Sequence, residues 1–391
     1  MSARQTLLEL LDAALRAVDG RACVASALPR EVKPTHLFAI GKAASSMALG
    51  ARAVLGGTAE TLLITKDGHV AAELRGAPGV AIFESAHPVP DARSLAAGEE
   101  LARRVQALPD DACPLFLVSG GSSSLVEALQ PGVSLEDLRA LNELGLAAGW
   151  DIAQLNVRRA GLSRLKGGGV ARLLGARRAF ALFISDVPGD DVDVIGSGLL
   201  GRHHGQFDGI ERRVVANVER AVQAAVDAGA ARGLTLEAGA RRFDGDAAEV
   251  AAQFLDRLRA TGADGVVWGG ESTVHLPARH GRGGRNTHLA LALARSMRRA
   301  EPLTVLAVGT DGTDGPTDDA GALVDAGSLE RAELGGCDVE RAFAEFDSGT
   351  ALEAAGDLVH TGPTGTNVGD VLIGLKHTAT SLRGLVPPRM L

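Results

Sequence analysis

The chain has little cysteine, little lysine and no long apolar run, and each shortage narrows what it can be. Its three cysteines, Cys23, Cys113 and Cys337, are scattered without paired spacing. Neither a disulfide framework nor a zinc site is expected, and a reducing, cytoplasmic setting fits. No stretch of 18 apolar residues occurs, so no transmembrane helix is expected. Basic charge is in deficit: 40 Lys and Arg against 48 Asp and Glu leave a net charge of −8. Such a surface does not suit sequence-independent binding of nucleic acid, which needs positive charge. Neither nucleic acid nor a membrane is therefore expected as a partner. The opening segment, MSARQTLLELLDAALRAVDG, spaces its apolar residues at helical intervals and is interrupted by acids. That pattern predicts an amphipathic helix rather than a signal peptide.

Apolar residues and glycine are abundant. Hydrophobic residues make up 46% of the 391 positions, and 50 are glycine. At ~150 residues per domain the length predicts two domains. Short apolar runs (HLFAIG, TLLIT, VAIFES, PLFLVSG, AFALFIS, GVVWGG, TVLAVG, DVLIGL) alternate with Ala- and Leu-rich helical stretches, and most end in Gly, Ser, Thr or Asp. This is the pattern of parallel α/β sheets, whose inner strands are apolar on both faces. Through 199–246 the strand pattern lapses: LLGRHHGQFDG reads as a loop and ERRVVANVERAVQAAVDAGAARG as one long helix. The boundary is expected at 235–245, giving domains at 1–240 and 241–391.

In open α/β sheets, ligands bind beyond the carboxyl ends of the strands, so the residues after each run are the candidates. In AIGKAASSMALGA, Gly41 turns the chain and Lys42 opens a helix whose free amides suit an anion. The spacing is not that of a P-loop. Only five of the 40 basic residues are lysine (Lys33, Lys42, Lys66, Lys166, Lys376), which makes a snorkelling filler the weaker reading of Lys42. A compact ammonium beside exposed amides suits phosphate. In LFLVSGGSSSLVEAL, Ser119, Gly120, Gly121 and Ser122 join a strand to a helix, as a phosphate or nucleotide cradle or as a capped helix start. GxSxG is not matched, which argues against a serine nucleophile.

LNVRRAGLSRLKGGGVARL crowds Asn156, Arg158, Arg159, Arg164 and Lys166 before three glycines. It is either a basic helix C-terminus or a source of cations for an anionic substrate. In FISDVPGDDVDVIGSG, Asp186 ends a strand, where a carboxylate can act as a base toward a hydroxyl or bind Mg²⁺. In WGGESTVHLPARHGRGGRN, Gly270 and Glu271 end a strand and Arg285 opens a long apolar helix. An arginine there opposes the helix dipole, a conflict that a bound anion would relieve. The histidines at 203, 204, 275, 280 and 288 lack HExxH spacing and read as exposed or structural. VGTDGTDGPTDDAG (308–321) threads four aspartates through turn residues at a strand end. It is either a solvated turn cluster or a loop that holds a cation or ligand. TGPTGTNVGD repeats the Gly and Thr theme.

Taken in order, IGKAA, LVSGGSSSL, LNVRRAGLSRLKGGG, ISDVPGDD, GGESTV with GRGGRN, VGTDGTDGPTDDAGA and GPTGTNV resemble the MOFRL-type glycerate 2-kinases, some of which carry the label hydroxypyruvate reductase. The resemblance runs from residue 40 to residue 374. It implies an α/β fold of two domains, a larger Rossmann-like N-terminal domain with a parallel sheet and a smaller MOFRL-type C-terminal domain, with the active site in the cleft. It implies transfer of phosphate from ATP, with Mg²⁺, to the 2-hydroxyl of D-glycerate, and it is compatible with a homodimer. Lys42 and Arg285 match the residues on which catalysis centres, and Asp186 the base. Ser119, Gly120, Gly121, Ser122, Asn156, Arg158, Lys166, Gly270, Glu271, Thr310, Thr364 and Asn367 become substrate or nucleotide contacts. Asp311 and Asp314 become Mg²⁺ ligands, while Asp318 and Asp319 are expected to cap or to face solvent.

Two segments depart from the pattern. The family has a Pro- and Asp-rich loop where this chain has 199–209, and Asn is more usual at Gly369. Two other readings compete. A nicotinamide-dependent hydroxypyruvate reductase would need a dinucleotide site, and no GxGxxG with a downstream ribose-binding acid follows directly on a strand. A non-catalytic sugar-phosphate-binding protein would not need the acidic loop.

Overall fold

The computed structural model describes residues 2–28, 33–148, 152–202, 209–277 and 279–377. The chain forms two compact units. One comprises residues 18–217 together with 365–368. Its strands are β1 (His36–Ile40), β2 (Glu60–Lys66), β3 (Val80–Ser85), β4 (Leu115–Val118), β5 (Ala179–Ile184) and β6 (Ile210–Ala216). They form one parallel sheet in the order β3-β2-β1-β4-β5-β6. The inner strands are mostly apolar and are buried but for their end residues, because helices cover both faces. Phe38 and Phe116 stack in this core with ring centroids 4.9 Å apart. From β1 the chain builds outward through β2 and β3, then returns to place β4 on the other side of β1. That reversal is the topological switch point, where ligands bind in sheets of this order.

The other unit comprises residues 2–17, 218–364 and 369–377. Its strands are β7 (Leu236–Ala238), β8 (Phe243–Asp246), β9 (Gly265–Thr273), β10 (Leu303–Gly309), β11 (Gly321–Asp325), β12 (Leu358–Val359) and β13 (Asp370–Lys376). They run in the order β12-β11-β10-β13-β9-β7, with β8 beside β9. Pairing from β12 through β9 is antiparallel, and β7 and β8 lie parallel to β9. The sheet is therefore mixed, where the apolar runs alone suggested parallel strands. Burial on both faces erases the alternation that marks an antiparallel strand.

One further expectation changes. The stretch read as one long helix from Glu211 is β6 followed by the helix Val218–Ala230. β6 is an edge strand with polar residues at its outer positions, so it lacks the apolar run that marks an inner one. The unit with the mixed sheet includes the helix Val218–Ala230, which packs on β9 and β7. The N-terminal helix Ala3–Ala17 is amphipathic as expected and buries Leu7, Leu10, Leu11 and Ala14. It packs against the helix Val218–Ala230. Arg4 fixes its start by ion pairs to Asp325 at 2.7 Å and Asp357 at 2.6 Å. Among the described residues, no helix is long and apolar enough to cross a membrane.

Candidate functional site

The switch point of the parallel sheet is built from two interlocked turns. After β1, Gly41 takes a φ of 122°, which favours glycine, and a Cβ there would strike Ser119. The amide of Lys42 donates to the Gly120 carbonyl at 3.0 Å, and the Ala43 amide donates to Ser119 Oγ at 3.0 Å. Thr65, on β2, donates its hydroxyl to the Gly41 carbonyl at 2.9 Å. Ser119 is fully buried, and its hydroxyl braces the neighbouring turn. The turn after β4 is shaped by glycine. Gly121 has a φ of 82°, and a Cβ on it would lie 3.0 Å from Lys42 Cγ and 3.3 Å from the His87 ring. A Cβ on Gly120 would collide with the Asp186 carboxylate and the Asn367 amide. Asn367 Nδ2 donates to Asp186 Oδ2 at 3.0 Å.

Five predicted residues thus converge on one spot: Lys42, Gly120, Gly121, Asp186 and Asn367. His87, just past β3, joins them and was not anticipated; its signal was its place after a strand end. Ser122 is fully buried beside them, and its Oγ has no hydrogen-bond partner.

Other predicted contacts in this unit have different surroundings. Lys166 is 2% exposed and forms an ion pair with Glu127, itself fully buried. Ser163 donates to the second oxygen of Glu127 at 2.5 Å. Burial drives the Lys166 ammonium below the ordinary lysine range, against the pull of Glu127. Its charge is matched inside the protein by Glu127. Glu127 lies within the stretch LFLVSGGSSSLVEAL, but its pairing with Lys166, 39 positions away, leaves no mark in that motif. Arg158 lies exposed on the helix Ile152–Leu162, where Nη1 donates to the Gln154 carbonyl at 3.0 Å, and Asn156 is half-buried on the same helix. His203, His204 and most of the divergent 199–209 loop lie outside the described residues.

The second unit gathers its own polar cluster around the start of the helix Arg285–Ser296. Arg285 makes a bidentate pair with Asp370, Nε to Oδ2 at 2.8 Å and Nη2 to Oδ1 at 2.9 Å, and its Nη1 meets Glu271. Asp370 is fully buried, whereas Glu271 is 47% exposed. Burial opposes the Arg285 charge, but Asp370 and Glu271 outweigh it and raise its pKa further. Burial pushes the Asp370 carboxyl up to about 6, against the guanidinium that draws it down. The helix-dipole conflict inferred for Arg285 is thus already relieved by two carboxylates. Gly270 presses on the Phe243 backbone and leaves no space for a side chain.

The acidic loop serves the same cluster. Asp314 is 1% exposed and caps the helix, accepting from the amides of Asn286 at 2.9 Å and Thr287 at 2.7 Å. Burial raises its carboxyl pKa, opposed by those amides. Asp311 Oδ1 accepts from the Thr313 amide at 3.0 Å and its hydroxyl at 3.2 Å. Asp319 is nearly buried and pairs with Arg282 and His360, which corrects the expectation of a capping or solvated acid. Thr310 donates its hydroxyl to the Gly369 carbonyl at 2.6 Å, and Thr364 donates to the Thr310 carbonyl at 2.5 Å. Both tie loops together. Among the described residues, no three His, Cys, Asp or Glu side chains are grouped to hold a metal ion. Asp311 and Asp314 are engaged by donors, and as a donor set they do not fit a resident Mg²⁺ site. His288, expected to be exposed or structural, is buried between Phe343 and Phe346.

Comparison with known proteins adds the lineage. Residues 6–228 match a domain described as a domain of unknown function (DUF4147), and residues 265–370 match the MOFRL family. A protein of Agrobacterium vitis named putative hydroxypyruvate reductase is 36% identical, covering 95% of this chain and 94% of its own. The D-glycerate 2-kinase of Thermotoga maritima is 32% identical over 96% of this chain and 98% of its own. The crystal structure of glycerate kinase from the same organism superposes with a TM-score of 0.81 at 32% identity, covering 95% of this chain and 99% of that one.

Proposed function

The chain belongs to the MOFRL-type glycerate 2-kinase family, and on that premise we propose that it transfers the γ-phosphoryl group of ATP to the 2-hydroxyl of D-glycerate, giving 2-phosphoglycerate and ADP. The observation that carries this reading is the convergence of Lys42, Gly120, Gly121 and Asp186 at the switch point of a sheet ordered β3-β2-β1-β4-β5-β6. Phosphoryl transfer asks little covalent chemistry of a protein, and positioning and charge neutralisation dominate. Each residue supplies one of these. The Lys42 ammonium neutralises phosphate oxygens. Gly120 and Gly121 let the backbone approach them without a Cβ in the way. The Asp186 carboxylate accepts the proton of the 2-hydroxyl as its oxygen bonds to phosphorus and the bond to the ADP oxygen breaks.

In the second unit, Arg285 is a candidate anion contact through Nη1, whose present partner, Glu271, is the more exposed of its two carboxylates. Mg²⁺ would enter as part of the nucleotide substrate, since the acidic loop does not fit a resident site. A six-strand sheet of this order can also hold a dinucleotide, but the first turn reads GKAA rather than GxGxxG, which favours the kinase.

The test is a pair of assays on the purified protein. ADP formation that depends on D-glycerate, with ATP and Mg²⁺, is the expected result. Oxidation of NADH or NADPH by hydroxypyruvate, with no glycerate-dependent ADP, would overturn the reading.

A further inference from the structure

The segment 365–368 is the feature that neither the fold nor the turns after β1 and β4 explain. Its neighbours in sequence, Thr364 and Gly369, belong to the unit with the mixed sheet, yet these four residues pack into the unit with the parallel sheet. There they are seated firmly. Gly365 accepts from the Gly20 amide at 3.1 Å, and its φ of 78° favours glycine, with Ser46 Oγ 2.8 Å from where a Cβ would stand. Thr366, Asn367 and Val368 are 1%, 5% and 0% exposed. An excursion of four residues that buries two polar side chains needs a reason. Asn367 offers one, since its amide donates to Asp186 Oδ2 at 3.0 Å. Gly120 closes the arrangement from below, since any side chain there would displace both groups.

We propose that Asn367 is a positioning residue, which holds the Asp186 carboxylate in one rotamer and in its ionised form so that its other oxygen faces the acceptor hydroxyl. The proposal rests on the kinase reading, in which Asp186 is the proton acceptor. A neutral donor on one carboxylate oxygen favours the charged form, and it restricts rotation about the Cβ–Cγ bond. The amide orientation follows from chemistry: an ionised carboxylate only accepts, so the NH₂ of Asn367 must face it.

The experiment compares wild type with Asn367→Ala and Asn367→Asp, using kcat and KM across pH and a carbon-13 NMR titration of the Asp186 carboxyl. Asn367→Ala is expected to lower kcat about 10- to 100-fold while KM for glycerate and for ATP stays within about threefold. The acid limb of its kcat profile and the Asp186 titration should both move to higher pH. Asn367→Asp should be worse than Asn367→Ala at neutral pH, because it sets a like charge against Asp186. It should recover relative to Asn367→Ala as the pH falls and the introduced carboxyl gains a proton to donate. A residue that only anchors the segment would reduce stability in both variants without moving either titration. Unchanged kcat in Asn367→Ala, or an Asp186 titration identical in wild type and Asn367→Ala, overturns the proposal. If wild type shows no glycerate-dependent turnover, the kinase reading fails separately, and the NMR titration alone still decides whether Asn367 governs the charge of Asp186.

Discussion

Replacing Glu127 by Gln should destabilise the unit with the parallel sheet far more than a change of one atom suggests. Lys166 and Glu127 are 2% and 0% exposed, so the variant leaves an ammonium with neither water nor a counter-charge. The side chain can stay charged and unpaired, or it can release its proton. Release at pH 7 from a group whose ordinary pKa is about 10.4 costs about 1.36 × 3.4, or about 4.6 kcal/mol. Breaking a buried pair by removing one partner costs about 3–5 kcal/mol in general, which agrees. For a domain of ~150–250 residues that corresponds to a melting-temperature drop of ~6–20 °C, readable by calorimetry.

The pH dependence gives a second check. An unpaired, buried Lys166 has a folded pKa below its unfolded value, so the unfolded chain binds more protons. The deficit of Glu127→Gln should therefore shrink as pH rises from about 7 toward about 10. The double variant Glu127→Leu with Lys166→Met should regain most of the loss, since an apolar pair of similar volume replaces a buried ion pair at little cost. A deficit below about 1 kcal/mol that is flat in pH would refute the reasoning. If the double variant folds and its KM for ATP and glycerate is unchanged, Lys166 is not a ligand contact either.

Lys42→Ala should lower kcat by about 10²-fold or more with the fold intact, through loss of one charge at the developing phosphoryl oxyanion; turnover within threefold of wild type would remove Lys42 from the mechanism. Asp314→Ala should cost the mixed-sheet unit about 1–2 kcal/mol in denaturant unfolding, because two helix amides lose their acceptor, and the Mg²⁺ titration of activity should not move. The Asp370 carboxyl, pushed up to about 6, is raised above the about 3.9 of an unfolded chain, so the folded state binds the extra proton. Stability should therefore fall as pH rises from about 4 to about 6, and Asp370→Asn should flatten that part of the stability profile whatever its effect on the absolute value.

Much of this protein was legible without coordinates, for a physical reason. A buried inner strand must be apolar along its length, and the turn that follows it must be Gly, Ser or Asp if the chain is to reverse into a helix. So β1, β4, β5 and β10, and the turns at Gly41, Gly120 and Asp186, can be read from local composition. The same locality explains the misreadings. β6 sits at an edge and needs fewer apolar positions, so it passed for the start of a helix. Strand direction in the mixed sheet is set by the partner across the ladder, and a strand buried on both faces carries no record of it.

Only the tertiary structure decided what each charged group does. Lys42 and Lys166 both precede or follow glycine in a lysine-poor chain. One lies beside the glycine turn at the switch point, and the other is sealed against a glutamate 39 positions away. Arg285 finds its main partner 85 positions on, and Asn367 finds Asp186 181 positions back. A carboxylate or ammonium is equally soluble in every loop of the unfolded chain. Its role is fixed when folding removes water from one face of it and supplies a particular partner, and that pairing is a property of how distant segments pack.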